Sequence, residues 1–319
     1  MQDVIIGVDL GGTNIKAGAV SMEGAVIYHC RRTTDADKGP EAVVTRIADA
    51  VAECLDNLAG GRERVQGVGV GSPGPLNLRK GIVSVAPNLP GWVNVPLRKM
   101  VSDASGLPCI IENDANAAAL GEQWVGAGRG VSSLVQFTLG TGIGGGIVLD
   151  GKVWHGFTDC AAEIGHMSIN PDGPKCNCGN VGCIEALASA PAMVRRMKEA
   201  IKAGSASVLS SKLNTLTAKD IHEAATAGDK AALENIEMTG FYLGVAVTNI
   251  LHIINPEVVV LSGGVTAAGN MLLRPIRQTV KERAMEAARQ DVKICFAELG
   301  EDAGVIGAAH SFTTLQGCV

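Results

Sequence analysis

The first third of the chain alternates apolar and polar positions in short runs that predict β-strands. A run rich in β-branched residues, 4–9, leads into a Gly-Gly-Thr turn, and apolar alternation resumes over 15–20, which predicts a hairpin. Apolar residues recur at helical spacing over 41–58, and a Gly-Gly pair then ends the predicted helix. The other elements predicted in this part are strands at 25–30, 65–70 and 109–111 and helices at 96–105 and 115–125.

A similar order of elements begins again near residue 133. An apolar strand, 134–139, runs into a glycine-rich turn and a second strand, 147–149, so this part resembles the first hairpin and indicates two related halves. The remaining predicted elements are helices at 183–203, 218–227, 230–254, 271–288 and 302–315 and strands at 258–261 and 292–297. Because strands alternate with helices, we expect an α/β protein.

Composition narrows the class of protein. A chain of 319 residues exceeds the usual size of a single core, so two domains are expected. Hydrophobic residues make up 46% and charged residues 18%, which is typical of a compact globular protein. The net charge of -5 and the absence of a basic run argue against a nucleic-acid partner. The N-terminus lacks a signal-peptide pattern, and no apolar stretch is long enough to cross a membrane without interruption, so we expect a soluble, cytoplasmic protein.

A polar loop between residues 163 and 185 carries the strongest chemical signal. It contains one imidazole and three thiols, a set that is typical of a structural zinc site. The candidate ligands are His166, Cys176, Cys178 and Cys183. The alternative is a surface loop with incidental thiols. Bound zinc would give the loop a fixed shape and would hold the flanking Glu163 and Glu185 in place, because the loop has little apolar core of its own.

The nine cysteines are an odd number, which favours reduced thiols over a disulfide framework. The six outside the loop are scattered along the chain, at Cys30, Cys54, Cys109, Cys160, Cys295 and Cys318.

Three glycine turns each follow an apolar strand. They are Gly11-Gly12-Thr13, Gly140-Thr141-Gly142 and Gly263-Gly264. Such turns present backbone N–H groups, and in two cases a hydroxyl, to phosphate oxygens, although each could also be an ordinary tight turn. Asp9, at the end of the first strand, is a candidate to organise Mg²⁺ through water, or else a simple turn residue.

Two other phosphate-binding motifs are excluded by their context. Gly140, Gly142 and Gly145 match Gly-x-Gly-x-x-Gly, but a strand follows this turn, where a dinucleotide-binding motif requires a helix. Residues 146–152 spell Gly-x4-Gly-Lys, but Val153 follows, and valine has no hydroxyl to place on magnesium.

Asn113 and Asp114 come directly after a predicted strand and before an alanine-rich helix. Catalytic groups are often held at such a position, but Asn and Asp are also the favoured N-caps of helices. Position alone leaves both roles open.

Together these motifs resemble the ROK family of sugar kinases, within the group that shares the actin and hexokinase (ribonuclease H-like) fold. The resemblance covers nearly the whole chain. Its most specific part is the metal loop with its flanking Glu163 and Glu185, and Glu112-Asn113-Asp114 is a further part. It implies a smaller N-terminal domain, residues 1–114 with about 303–319, and a larger domain, 115–302, with the zinc loop. It also implies a cleft that closes on the sugar and excludes water.

The resemblance also implies a role for each candidate residue. Asp114 would be the general base that accepts a proton from the sugar, while Mg²⁺ and backbone N–H groups stabilise charge on the γ-phosphoryl group of ATP. The residues expected to bind sugar are Asn88, Asn113, Asp114, Glu163, His166 and Glu185. Those expected to bind ATP are Asp9, Gly11, Gly12, Thr13, Lys16, Gly140, Thr141, Gly142, Gly263 and Gly264. Zn²⁺ would be held by the four loop ligands named above.

Within the family, three segments look like the glucokinase branch and favour D-glucose, phosphorylated at its 6-hydroxyl. They are residues 71–75, Asn88-Leu89 with Trp92, and residues 127–130. N-acetylmannosamine, N-acetylglucosamine and fructose are the alternative substrates, and polyphosphate is the alternative donor. Two alternatives belong to other classes of protein. One is a non-catalytic sugar sensor, and the other is a ROK-type repressor. Such repressors carry an added N-terminal DNA-binding segment, for which we expect no room before Asp9. A homodimer or homotetramer is expected.

Overall fold

The computed structural model of the chain describes residues 3–86 and 88–315. Its strands are β1 Val4–Leu10, β2 Asn14–Ser21, β3 Val26–Thr33, β4 Val65–Ser72, β5 Leu76–Asn77, β6 Ile82–Val85, β7 Val93–Val95, β8 Cys109–Asn113, β9 Leu134–Leu139, β10 Ile143–Leu149, β11 Lys152–Val153, β12 Val258–Ser262 and β13 Lys293–Phe296. Its helices are α1 Pro40–Asp56, α2 Leu97–Ser105, α3 Asp114–Val125, α4 Ile184–Ala188, α5 Ala190–Lys202, α6 Ala218–Thr226, α7 Lys230–Ile253, α8 Asn270–Arg283, α9 Glu286–Arg289 and α10 Ala303–Leu315. The expected α/β fold is confirmed.

The chain forms two compact units. The first comprises Met1–Ser132, Gly146–Ala162 and Glu298–Val319, and the second comprises Ser133–Gly145 and Glu163–Ala297. These boundaries differ from the predicted division, which placed residues 115–132, 146–162 and 298–302 in the larger domain.

Packing at the end of α3 explains most of the difference in boundaries. The buried carboxylate of Glu122 accepts hydrogen bonds from the backbone N–H groups of Ala127, Glu298 and Leu299, at 2.8 to 3.1 Å. These bonds tie α3 to the chain segment that leads into α10, so both belong to the first unit. The predicted division into a smaller and a larger functional domain stays a prediction.

The first unit is built on a five-stranded sheet in the order β3-β2-β1-β4-β8. The predicted hairpin is confirmed, with Asp9 opposite Lys16 and antiparallel pairing throughout β1 and β2. Strands β4 and β8 run parallel to β1, so their carboxyl ends lie at the same edge of the sheet as Asp9. A second sheet, β5-β6-β7, was not predicted, because its strands are only two to four residues long.

Helix α10 lies against the first sheet at backbone contact distance. A Cβ atom added to Gly7 would lie 1.9 Å from the carbonyl oxygen of Val305, and one added to Gly69 would lie 1.8 Å from that of Ala308. Any side chain larger than hydrogen at position 7 or position 69 would push the helix away. The last element of the chain therefore packs on the first sheet only because β1 and β4 carry glycine at these positions.

The second unit contains the parallel strands β9, β12 and β13, with β12 between the other two. Strand β10 begins in this unit on the other side of β9, directly after the Gly140 turn. Two predicted helices are interrupted. The helix over 183–203 breaks at Ser189, which is extended and caps α5 by accepting from the Ala192 N–H group. The helix over 271–288 breaks at Ala284 and Met285, which are also extended.

Among the described residues, α7 is long and apolar enough on average to span a membrane by length and composition, although polar residues interrupt its apolar run. More than half of its apolar window, 56%, is buried inside the protein. Glycines on this helix allow close packing with α8, since a Cβ on Gly240 would lie 2.4 Å from the Pro275 ring. Its burial and its packing against α8 are those of a core helix.

The packing of α10 gives a stability test. We expect Gly69→Ala to lower the free energy of unfolding by about 1 to 3 kcal/mol, since the added methyl group forces the helix and the sheet apart. The matched control is Gly264→Ala, where a Cβ would meet nothing within 4 Å. Chemical denaturation of both variants measures the difference, and a Gly69→Ala protein as stable as the control would contradict the packing argument.

Candidate active site

The first glycine turn is fixed by hydrogen bonds within the first unit. The Gly11 N–H group donates to the Asn14 carbonyl at 3.0 Å, and the hydroxyl of the buried Thr34 donates to the Gly11 carbonyl at 2.7 Å. Gly12 and Thr13 are exposed at its tip. The turn therefore presents backbone N–H groups and a hydroxyl to solvent from a rigid base, as a phosphate-binding turn requires.

Asn88 lies beside this turn. A Cβ on Gly12 would be 3.2 Å from the carbonyl oxygen of Asn88. The loop that carries Asn88 is anchored by the buried side chains of Leu89 and Trp92, and the Ala86 N–H group donates to the Trp92 carbonyl at 3.2 Å. The structure thus brings a predicted sugar-binding residue next to a predicted phosphate-binding turn.

Asp9 and Lys16 stand opposite each other on β1 and β2. Burial raises the pKa of Asp9, and the nearby Lys16 charge only partly offsets it. The Lys16 ammonium group forms an ion pair with the exposed Glu301 carboxylate at 3.0 Å. A partly buried carboxylate is stabilised by a bound cation, which is consistent with the metal role predicted for Asp9.

Asn113 and Asp114 have different local roles. Asn113 is the N-cap of α3, and its side-chain oxygen accepts from the Ala115 and Asn116 N–H groups at 3.0 and 3.2 Å. Its amide nitrogen donates to the Gly74 carbonyl at 3.4 Å. Asp114 is the first residue of α3, and one of its oxygens accepts from Ala115 at 2.8 Å. Asn113 is the N-cap residue and by itself accepts from two N–H groups of the helix start, so the helix cap does not require a carboxylate at position 114.

The other two glycine turns lie at the ends of neighbouring parallel strands in the second unit, β9 and β12. The Gly140 N–H group donates to the Gly142 carbonyl at 2.9 Å, which closes the second turn. Gly263 adopts a positive φ of 91°, and a Cβ there would lie 2.4 Å from the Leu139 carbonyl oxygen. Glycine is required at position 263 on both grounds. The structure brings these two turns together as predicted.

A cavity of about 530 Å³ opens beside the second turn, with Thr141 in its wall. Most of its other lining residues come from α5, including Arg195, Lys198 and Lys202. A cavity of this size suits a small-molecule ligand, and its lining carries three cations and one carboxylate, Glu199, which is paired with Arg195, so the excess of positive charge favours an anionic ligand. Sequence reasoning missed these residues. Their spacing of three and four positions on one helix face was the available signal.

The four predicted metal ligands converge in the second unit. The side-chain nitrogen of His166 and the sulfurs of the three cysteines all lie within 4.8 Å of one another. Cys176 Sγ is 3.7 Å from His166 Nδ1, and Cys178 Sγ is 3.7 Å from Cys183 Sγ. Tetrahedral zinc with Zn–S bonds of about 2.3 Å would separate two sulfurs by about 3.8 Å. The donor set and its spacing therefore fit a zinc ion.

The backbone of the loop supports this convergence. Short antiparallel bridges join Ser168 to Cys183 and Lys175 to Val181. A Cβ on Gly182 would lie 1.6 Å from the Asn170 carbonyl oxygen, so only glycine allows the loop to fold back on itself here. Two of the ligands, Cys176 and Cys183, are buried. These two cysteines form a small buried cluster with Ala186.

Two predicted sugar-binding glutamates flank the cluster. His166 directs Nδ1 toward Cys176, and its Nε2 lies 3.9 Å from Glu163 Oε2. Glu185 Oε2 accepts from the Ile143 N–H group at 2.9 Å, and its Oε1 is 3.7 Å from Cys176 Sγ. One carboxylate thus connects the cluster to the strand that follows the second glycine turn.

Cys30, Cys54, Cys109, Cys160, Cys176, Cys178 and Cys183 form no disulfide, and Cys318 lies outside the described residues. Cys30 and Cys54 approach to 4.0 Å in the core of the first unit without a disulfide.

Comparison with known proteins gives one consistent result. Residues 5–314 match the model of the ROK family. The chain is 41% identical over 308 residues to a glucokinase from Thermotoga maritima, covering 96% of each chain. It is also similar to a solved ROK family glucokinase from Streptomyces griseus in complex with glucose and AMPPNP, with a TM-score of 0.80, 35% identity and coverage of 96% and 98%. A xylose repressor from Caldicellulosiruptor bescii is 32% identical over 95% of this chain and 76% of the repressor.

Proposed function

The chain belongs to the ROK family, and from that premise we propose that it is an ATP-dependent hexose kinase that phosphorylates D-glucose at its 6-hydroxyl. The observation that carries the proposal is the 41% identity to a glucokinase over 96% of both chains. The Streptomyces griseus relative, solved with glucose and AMPPNP, supports the same pair of substrates. The partly buried Asp9, the exposed glycine turns and the polar groups around them would supply the chemistry that phosphoryl transfer needs.

We propose Asp114 as the general base. The N-terminus of α3 stabilises its ionised carboxylate, and Asn113 completes the cap, so the Asp114 side chain is not required for it. An ionised carboxylate held at a helix start can accept the proton of the sugar hydroxyl as the hydroxyl oxygen attacks the γ-phosphorus atom. Positioning and charge stabilisation supply most of the rate enhancement in such transfers.

The three glycine turns and Asp9 are the proposed ATP phosphate site. Their backbone N–H groups and the hydroxyls of Thr13 and Thr141 would donate to phosphate oxygens. Mg²⁺, held through Asp9, would neutralise charge on the transferred group. Lys16 is the least supported member of the set, because Glu301 already neutralises its ammonium group. The cavity beside Thr141 would take the nucleoside, with its cations toward the phosphate chain.

The proposed sugar ligands are Asn88, Asn113, Asp114, Glu163, His166 and Glu185. The geometry of His166 supports this proposal, since its Nδ1 is directed to the thiol cluster and Nε2 remains on the side of Glu163. One imidazole can therefore serve a metal and a sugar hydroxyl at the same time. Binding at Nδ1 would fix the proton on Nε2, which makes Nε2 a hydrogen-bond donor.

We further propose that the cluster holds one structural Zn²⁺. Four ligands and no open position are the pattern of a structural site, and metal binding would supply the folding free energy that this loop cannot obtain from apolar burial. The proposed place of action is the cytoplasm, where reduced thiols persist. The similarity to a xylose repressor keeps sugar sensing as the second candidate function, and ATP turnover with sugar separates the two.

The zinc proposal predicts one tightly bound zinc per chain in protein purified without added metal. Cys178→Ser should lower the zinc content and raise the glucose KM more than the ATP KM, because Glu163 and Glu185 flank the loop. Cys160→Ser is the matched control, an exposed cysteine outside the cluster. Elemental analysis and steady-state kinetics measure both effects. Full activity in protein without zinc would rule out the structural role.

The base assignment predicts that Asp114→Asn lowers kcat by on the order of 10² to 10⁴, because the amide keeps the shape of the side chain but cannot accept the proton. Glucose binding, followed by calorimetry, should be retained. Asp103→Asn on the exposed face of α2 is the control and should turn over normally. Near wild-type kcat in Asp114→Asn would assign the base elsewhere.

The substrate assignment predicts that kcat/KM is highest for glucose among glucose, mannose, fructose, N-acetylglucosamine and N-acetylmannosamine. A site that bonds each hydroxyl leaves buried polar groups unpaired when a hydroxyl is missing or replaced. A coupled assay of ADP release measures the series. A kcat/KM for an N-acetylated sugar more than tenfold above that for glucose, about 1.4 kcal/mol of transition-state discrimination, would overturn the glucose assignment but not the kinase assignment.

A further inference from the structure

The buried carboxylate of Glu112, which directly precedes Asn113 and Asp114, pairs with a histidine in the first unit. Glu112, on β8, is only 1% exposed, and its Oε2 lies 2.7 Å from Nε2 of His155. The His155 side chain is 17% exposed. A buried carboxylate oxygen without a partner is destabilising, and His155 is the partner of Glu112 Oε2.

The other oxygen of Glu112 accepts hydrogen bonds from residues on both sides of Asp114. Glu112 Oε1 accepts from the Asn113 N–H group at 2.8 Å and from the side-chain amide of Asn116 at 3.2 Å. Asn113 precedes Asp114 and Asn116 follows it by two residues in the first turn of α3. The orientation of the Glu112 carboxylate therefore sets the position of the peptide that carries Asp114.

His155 is itself held by the segment that follows β11. Its carbonyl oxygen accepts from the Ala161 N–H group at 3.0 Å. Further along this segment, Asp159 accepts from the Leu78 N–H group at 3.0 Å. The imidazole is thus presented to Glu112 by a loop with anchors on both sides of Gly156, and its place does not depend on the Glu112 contact alone.

The charges around His155 favour its protonated form. Burial lowers the pKa of His155, but the hydrogen bond and the charge of Glu112 raise it, with a smaller contribution from Asp159, and the balance is a raised pKa. Glu112 and Asp159 are the charged groups that act on this imidazole. Attraction between the protonated imidazole and the Glu112 carboxylate thus stabilises the pair. This stabilisation is fully present below the usual histidine pKa and is lost as the pH rises through the raised pKa of His155.

We propose that His155 is a positioning residue for phosphoryl transfer, which acts through Glu112 to hold Asn113 and Asp114 in the orientation that accepts the sugar proton. This inference rests on the proposed role of Asp114 as the base. Small displacements of a catalytic group cost large factors in rate, so a partner that does not touch the substrate can still control turnover. His155 and Glu112 are 43 residues apart, and the sequence pattern gives no sign of their contact.

The test combines His155 variants with Asp114→Asn. We expect His155→Phe to lower kcat by about 10 to 100-fold, while the KM values for glucose and ATP change little. His155→Gln, whose amide can still donate to Glu112, should recover most of the loss. In the Asp114→Asn background, His155→Phe should reduce the residual kcat by less than about threefold, because residues that act through one another are not additive.

His310→Phe is the matched control. His310 is a partly buried histidine of the same unit, stacked on Trp124 of α3 with ring centroids 4.2 Å apart, and a phenyl ring preserves that stacking. Its kcat should equal that of the wild type. Thermal melting establishes that each variant is folded. If His155→Phe does not fold, His155→Asn, whose shorter amide does not reach Glu112, replaces it in both backgrounds.

Any one of three results would overturn the role of His155 and leave the assignment of Asp114 intact. The first is an equal fold-loss of kcat from His155→Phe in the wild-type and Asp114→Asn backgrounds. The others are a folded His155→Gln that is as slow as His155→Phe, and a His155→Phe protein with normal kcat. A different result, wild-type turnover by Asp114→Asn, would overturn the assignment of the base and the role of His155 together.

Discussion

The convergence of one imidazole and three thiols is the constraint on which the candidate sugar-binding residues of the second unit depend. The buried cluster around these ligands is small and consists of Cys176, Cys183 and Ala186. The four ligand atoms lie within 4.8 Å of one another, and the proposed zinc ion would join them where other loops rely on a hydrophobic core. Glu163 and Glu185 lie at the two ends of this loop, and Glu185 also accepts a hydrogen bond from the Ile143 N–H group.

The first unit orders its candidate residues in a different way, through buried carboxylates that each take part in several hydrogen bonds. Glu112 fixes the start of α3, and Glu122 fixes its end against the segment leading into α10. The helix is thus held at both ends by charges that are removed from water, which is tolerable only because each has several hydrogen-bond donors. Asp114 stands at one end of a helix that has little freedom to shift.

Local features were predictable from the sequence, and long-range ones were not. The hairpin of β1 and β2, the cluster of four candidate metal ligands and the glycine turns lie within short stretches whose spacing carries the information. The interruption of a predicted helix at Ser189 is a tertiary effect that helical periodicity does not record. The Glu112–His155 contact and the ion pair of Lys16 with Glu301 join residues 43 and 285 positions apart. Such contacts follow from the fold, so neither could be read from composition or spacing.

Product analysis by phosphorus NMR tests the central claim most directly, that the chain transfers the γ-phosphoryl group of ATP to the 6-hydroxyl of glucose. Wild-type protein with glucose, ATP and Mg²⁺ should give one glucose 6-phosphate for each ADP formed, and ADP should not accumulate when glucose is left out. ADP formation without a sugar phosphate would show an ATPase. Glucose binding without ADP formation would show a sensor, and either result would contradict the account.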